Sequence, residues 1–487
     1  MHSFQPWNNQ YYINPLYHPA SCNRSIQVVA PATLEPLGKV ALCEKHDIQI
    51  AVDAANLAQR HWRQLDGRQR KRLLLELAHG IETAGERNLE IARLLSLELG
   101  LSLANTSCEL ASCAAVFRHY AHEIESPPGT TATWTGDQES PQVHHKPYGV
   151  SVHIMPFALG LILMCRTVAA SLAAGNSCIV KPSLNATLST LAFMQHFALL
   201  PAGLVCCIPG DASAGQGLLQ SSGTHTVVFA GGVAAASAVA VTCAELLKPC
   251  TVESAGRGSM IVSRHAQVQL AAVHAAASAF NRSGQSCLST QRIFVDDEIH
   301  DHFVQHFVEQ TRIRCLVSGA PCPVGPLVSE SAQHRLMRLI NDALAKGARR
   351  VSSDEQDIDD PLLGWFHQPV ILTDINDSML ISREECLGPV AILRRVGDFA
   401  ESVQLANECP FALGVSVFSN DLAEVLLATE QLQASRVWFN SHVATGHPDS
   451  FSDWEIFQLA GVPGGVALDA FRHSRKVSIH QPATLRR

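Results

Sequence analysis

At 487 residues, 47% hydrophobic and 16% charged, the chain has apolar material for more than one core, because single cores stop growing at roughly 250 residues. Its formal net charge is −8 and its lysines and arginines are scattered, so no basic face is built and nucleic acid is excluded as an expected partner. The 15 cysteines follow no regular framework, no CxxC or HExxH pair occurs, and the opening MHSFQPWNNQ lacks an apolar signal core; a reduced, cytoplasmic protein with no metal site is expected.

From about residue 47 to 124, stretches such as IAVDAANLAQRHW and RQRKRLLLELAHGIE repeat apolar residues every three or four positions, which predicts a helical N-terminal section. SPPGT breaks it, and TATWTGDQESPQVHH places β-formers around a Gly-Asp turn, which predicts a projecting hairpin. From Tyr148 the rhythm changes. GVSVHIMP, SCIVKPS, GLVCCIPG and THTVVFAG alternate with helical stretches, the pattern of a parallel sheet covered on both faces. Two stretches with few or no charges, 150–175 and 226–244, each read as a buried strand followed by a packed helix rather than as membrane spans. Cys206 and Cys207, adjacent in a strand-like run, are predicted to point to opposite faces. A second α/β section runs from about 251 to 440, and RKVSIHQP at the end suits a terminal strand.

Three residues carry the chemistry. Cys287 lies in a Gly-Gln-Ser-Cys turn after an Ala-rich helix, where backbone amides and partial exposure would favour a thiolate. Taken alone, a cysteine among 15 is more often a small buried hydrophobe. Glu253 ends a strand-like stretch and can serve as a general base if desolvated; the plainer reading is a solvated loop glutamate. Lys181 closes SCIVKP at the carboxyl end of a strand, where open α/β sheets bind ligands, or else is a surface lysine.

In this order and spacing the segments resemble the aldehyde dehydrogenase superfamily over nearly the whole chain, as a divergent member. PYGVSVHIMPF is similar to PxGVVGxIxPWNFP, SLAAGNSCIVKPS to ALAAGNxVVxKPSE, TVESAGRGS to the ELGGK segment and FNRSGQSCLS to FxNxGQxC. EECLGPVAIL is similar to EEIFGPV, and ANECPFALGVSVFSND with RVWFN to ANxxxYGLAAxVFTxD with VWVN. The resemblance implies an α/β fold of two open parallel-sheet domains with a small oligomerisation element. The dinucleotide-binding domain would comprise 1–125 and 147–250, the catalytic domain 251–445, and the oligomerisation hairpin and strand 126–146 and 470–487. It implies that Cys287 attacks an aldehyde, that Glu253 activates the hydrolytic water, and that Lys181 and Glu385 hold the riboses of NAD or NADP. Ser183, Phe229, Gly231 and Gly232 would line the dinucleotide, with the glycines bringing backbone close to the pyrophosphate, and Asn440 would shape the site floor. A homodimer or homotetramer is implied, with a small aldehyde as substrate and no membrane partner.

The chain departs from the family pattern where chemistry is done. Ala158 stands in place of the asparagine whose amide supports the oxyanion, Leu184 in place of the acidic residue on the adenine ribose, and Leu387 in place of the phenylalanine of EEIFGPV. Arg282 replaces the asparagine of the nucleophile loop, where an inward side chain would lower the thiol's pKa and an outward one would not. Phe157, Met164, Cys165, Ser286, Leu288 and the loop HPDSFSDWEIF are candidate pocket walls. Three readings remain at this level: an active dehydrogenase, a degenerate scaffold with the same fold, and a thiol enzyme that cleaves esters without hydride transfer.

Overall fold

The computed structural model describes residues 7–124, 139–254, 256–317, 324–351, 363–408, 413–442 and 467–480. Strands β1 (Gln10–Ile13), β2 (Leu16–Pro19), β3 (Ser25–Val29) and β4 (Pro36–Ala41) precede helices α1 (Lys45–Trp62), α2 (Gly67–Glu82), α3 (Gly85–Leu99) and α4 (Leu103–Glu123). The helical section is as expected; the four strands before it are not predicted by the periodicity. Their partners explain why. β3 and β4 pair only with each other, while Tyr12 of β1 opposes Cys207 far along the chain, so the signal is in the partner and not in the local pattern.

After β5 (Glu139–Pro147) come β6 (Val150–Ile154), α5 (Gly160–Ala174), β7 (Ser177–Lys181), α6 (Thr187–Phe193), β8 (Val205–Cys207), α7 (Ala212–Gln220), β9 (Thr226–Gly231), α8 (Val233–Glu245) and β10 (Cys250–Ser254). They form a seven-stranded sheet in the order β10-β9-β6-β7-β8-β1-β2, parallel from β10 to β8. Side chains alternate between two cores. Cys178, Val180 and Cys207 face α5 and the N-terminal helices, and Ile179, Cys206 and Ile208 face α1 and α7. Both stretches of few or no charges are thus strand plus helix, and among the described residues no helix is long and apolar enough to cross a membrane. Helix α5 is buried from Gly160 to Ala173, so it is packed on every side.

The second half contains β11 (Gly258–Val262), α9 (Val268–Phe280), β12 (Thr290–Asp296), α10 (His300–Val317), α11 (Glu330–Ala345), β13 (Arg349–Arg350), β14 (Val370–Thr373), β15 (Val390–Val396), α12 (Phe399–Asn407), β16 (Gly414–Phe418), α13 (Leu422–Gln431) and β17 (Arg436–Phe439). Its seven-stranded sheet runs β13-β14-β15-β12-β11-β16-β17, with only β13 antiparallel. Met260, Ile293 and Leu393 pack on α9 and α10, while Ile261, Phe294 and Val417 face α12. β18 (Arg472–His480) pairs antiparallel with β5 as a separate two-stranded ribbon, Arg472 opposite Pro147. The predicted turn of the hairpin and the loop HPDSFSDWEIF lie outside the described residues.

Candidate active site

Cys287 follows a turn that the sequence could not tell from an ordinary loop. After α9, Arg282, Ser283 and Gly284 take φ of 53°, 58° and 66°, three successive left-handed residues, two of them with side chains that disfavour that region. Surrounding contacts hold the turn. A Cβ on Gly284 would lie 2.0 Å from the carbonyl oxygen of Gly388, so only glycine fits. Ser283 Oγ donates to Gly325 O at 2.7 Å, Gln285 Nε2 donates to Pro326 O at 3.2 Å, and Gln285 Oε1 accepts from Val328 N at 2.9 Å. The Gly-Gln of the motif is therefore the loop's anchor, and the sulfur is set down half-buried against the main core.

The expectation of a favoured thiolate is corrected here. Burial pushes the Cys287 thiol up to about 12, with the nearby charges of Glu253 and Glu385 adding to the rise. Its own backbone N–H and the charge of Arg282 favour the thiolate but do not prevail. Glu253 is not a solvated loop residue. It stands opposite Ala230 in β10, is buried, and lies 3.8 Å from Nη1 of the buried Arg166 on α5. Burial raises its pKa above the usual 4.5 and Arg166 opposes the rise.

On the strand paired with β10, β9 ends at Gly231 and α8 starts after Gly232, which offers no side-chain cap to its first amides. Neither glycine is among those with positive φ; what each gives is space where a Cβ would stand. A Cβ on Gly231 would meet the ring of Phe229 at 2.8 Å, and one on Gly232 would point at Glu385 Oε2 from 3.9 Å. Glu385 Oε1 is buried and has no hydrogen-bond partner among the described residues, and burial raises the carboxyl's pKa. Lys181 is 9% exposed, not a surface lysine; its Nζ donates to Pro182 O at 3.1 Å, and burial lowers its pKa. Ser183 caps the short turn at 184–186 through Asn185 N, and Leu184 packs against the main core. A helix N-terminus without a cap, an orphaned carboxylate facing a glycine and a buried amine at a strand end fit a dinucleotide: the first suits an anion and the second a hydroxyl.

Asn440 has φ of 51° and its amide is spent on the backbone of Ser419, accepting at 3.0 Å and donating at 2.9 Å, so it braces β16 and β17. Met164 and Cys165 are 1% and 0% exposed members of the main core. Arg282 faces inward, where it meets Glu109 of α4, a residue that sequence reasoning missed. Among the described residues no group of three or more His, Cys, Asp or Glu is placed to hold a metal ion.

Residues 17–453 match the Aldehyde dehydrogenase family. The chain belongs to that family. It is 30% identical over 440 residues to a 3-sulfolactaldehyde dehydrogenase of Pseudomonas putida, covering 89% of each chain. It is 28% identical over 484 residues to human retinal dehydrogenase 2, covering 97% of this chain and 92% of that one. Among solved structures, an NADP-dependent enzyme of E. coli superposes with a TM-score of 0.85 at 26% identity, covering 98% and 99%. The enzyme PnpE in complex with nicotinamide adenine dinucleotide gives 0.86 at 26%, covering 97% and 98%. The family's two parallel-sheet α/β architecture is the one described above.

Proposed function

We propose that this aldehyde dehydrogenase oxidises an aldehyde to a carboxylic acid with NAD or NADP, using Cys287 as nucleophile and Glu253 as general base. The observation that carries the reading is convergence. A thiol from the loop after α9 lies within the electrostatic reach of a buried base from the first sheet and of an orphaned carboxylate from the second. Retention of both thiol and base also favours an active dehydrogenase over a scaffold.

Glu253 accepts the thiol proton as Cys287 Sγ adds to the carbonyl carbon, forming the C–S bond of a thiohemiacetal. Its oxyanion is held by the backbone N–H of Cys287, without the amide that Ala158 lacks; one missing donor of this kind costs about 3 kcal/mol at the transition state. The bound nicotinamide supplies the hydride acceptor. Loss of hydride from the thiohemiacetal carbon would leave a thioester on Cys287; Glu253, having released the thiol proton to solvent, then takes one from water, whose oxygen attacks the thioester carbon and expels the Cys287 thiolate. Lys181 and Glu385 hold ribose hydroxyls, Ser183, Phe229, Gly231 and Gly232 line the dinucleotide, and the first amides of α8 face its pyrophosphate.

In this reading 1–125 and 147–250 bind the cofactor and 251–445 carries the nucleophile. The ribbon of β5 and β18, within the segments 126–146 and 470–487 assigned to oligomerisation, joins subunits into a dimer or tetramer, since an isolated two-stranded ribbon is marginal alone. The described cysteines are free, which suits a cytoplasmic location. Incubation with a panel of aliphatic and aromatic aldehydes plus NAD or NADP, following reduced cofactor by absorbance, tests the assignment. Turnover that vanishes in Cys287→Ala is expected; turnover that survives it, or absence of both turnover and dinucleotide binding by calorimetry, overturns the reading.

A further inference from the structure

Helix α10 carries two histidines one turn apart in the stretch HDHFVQHF, and neither enters the scheme above. His302 is exposed and His306 half-buried; their Nε2 atoms stand 2.9 Å apart, with ring centroids at 4.6 Å and planes inclined by 65°. The backbone beneath them is fixed. Phe303 and Phe307, each next in the chain, are 0% exposed, stack at 5.7 Å and belong to the core under the second sheet, so the histidines turn towards solvent at helical spacing. Asp301, the nearest acid in sequence, is engaged elsewhere: it accepts from Arg395 and stands 3.1 Å from His300 Nδ1.

As it stands the contact is a hydrogen bond in which one Nε2–H donates to the other nitrogen, and either ring can be the donor. A bond of this kind nets about 0.5–1.5 kcal/mol, against the entropy of holding two solvent-side chains, so it contributes little to the fold. The spacing has a second use. Two imidazole nitrogens bound to one cation at about 2.05 Å lie roughly 2.9 Å apart if the angle between them is a right angle, and about 3.3 Å apart if it is tetrahedral. The observed separation fits the right angle of tetragonal ions, and imidazole nitrogen suits late first-row divalent cations. Phe303 stands where the HExxH hydrolases carry their glutamate base, so the pair is a place to bind and not to hydrolyse.

We propose that His302 and His306 form a two-nitrogen chelate on α10 for a divalent copper or nickel ion, with water in its remaining coordination positions. Among the described residues no third His, Cys, Asp or Glu joins them, so the site is open and its ion exchangeable. Copper binds most tightly, and magnesium and calcium, which require oxygen ligands, do not bind. A bound ion bridges one helical turn and stabilises the folded chain in proportion to its occupancy. The site does not depend on the roles given to Cys287 and Glu253.

The test is calorimetric titration of the untagged full chain with Ni²⁺, after removal of metal by a chelator, beside His302→Gln, His306→Gln and the double variant. Glutamine is a good helix former and both positions lie on the solvent side of α10, so the variants fold. Loss of either histidine leaves a single imidazole, so each single variant loses at least about tenfold in affinity at the strongest site, and the double variant is little worse than either. Two rings that bind independently would instead lose one weak site per substitution with affinity unchanged, and that result overturns the proposal. The paramagnetic resonance spectrum of the Cu²⁺-loaded protein should show two imidazole nitrogens, falling to one in either single variant. Identical spectra in parent and variants, or uptake of Mg²⁺ at the same site, overturn it equally.

Discussion

Glu98 and Glu385 are both carboxylates held largely out of water, and the protein uses them in opposite ways. Glu98, on α3, accepts from Leu188 N and Ser189 N at 2.8 Å each, so both oxygens are consumed by first-turn amides of α6. Burial still pushes its pKa up to about 7 against those hydrogen bonds. Glu385, facing the glycine before α8, keeps one buried oxygen without a partner among the described residues. In the proposed reading, charge that serves the fold has its partners built in, and charge that serves a ligand has them left out. The same division separates Asn440, whose amide is fully used by Ser419, from Arg282, whose Nη1 is not.

The largest expected effect bears on the ligand side of this contrast. Glu253→Gln, close in shape but unable to take a proton, should lower kcat by about 10²–10⁴-fold while the melting temperature falls only modestly, because the amide keeps the packing although the buried Arg166 loses its anionic neighbour. A melting temperature that collapses with the activity would place Glu253 with Glu98 and break the comparison. Next, Glu98→Ala leaves two buried amides unsatisfied and should destabilise the fold by about 1–3 kcal/mol, with kcat per folded molecule unchanged; denaturant unfolding beside a single-turnover assay reads both. Smaller still, Glu385→Gln keeps the shape but loses a charge-assisted acceptor. It should raise the KM for the dinucleotide roughly tenfold, equivalent to about 1.4 kcal/mol, with stability nearly unchanged. An unaltered KM would mean that the orphaned oxygen has another purpose.

What the sequence disclosed follows the same line. The parallel strands β6 to β9 are legible because apolar runs set them, and the roles given to Cys287, Glu253, Lys181 and Glu385 rest on motif spacing and belong to the proposed reading. The opposite faces of Cys206 and Cys207 were legible too, since a period of two suffices. Partners distant in sequence were not. Glu109 is a polar residue in an unremarked helix until the fold brings it 3.0 Å from Arg282, and β1 is a four-residue strand with little to announce it. The ionisation state of Cys287 was misjudged for a related reason: the turn suggested amides, whereas burial and two carboxylates from distant segments decide the balance. The left-handed run at Arg282 and Ser283 has no sequence signature, as neither residue type favours it.

The smallest effect is a displaced pH profile, and it concerns how a carboxylate can be both buried and basic. Glu253 must be ionised to accept a proton, so the rate rises with pH through its pKa, which burial places above 4.5. Arg166, 3.8 Å away, opposes that rise by stabilising the charged form. Replacing it by methionine removes the opposing charge and keeps an apolar stem against α5's surroundings. The acid limb of kcat should then move to higher pH by about one unit, with the alkaline plateau retained. Near the limb the variant is slower than the parent, and well above it the two converge. A uniform drop at every pH would instead mean that Arg166 supports the packing of α5. An unmoved limb would show that another group limits the rate at low pH, and Glu253 would then lose its place as the base.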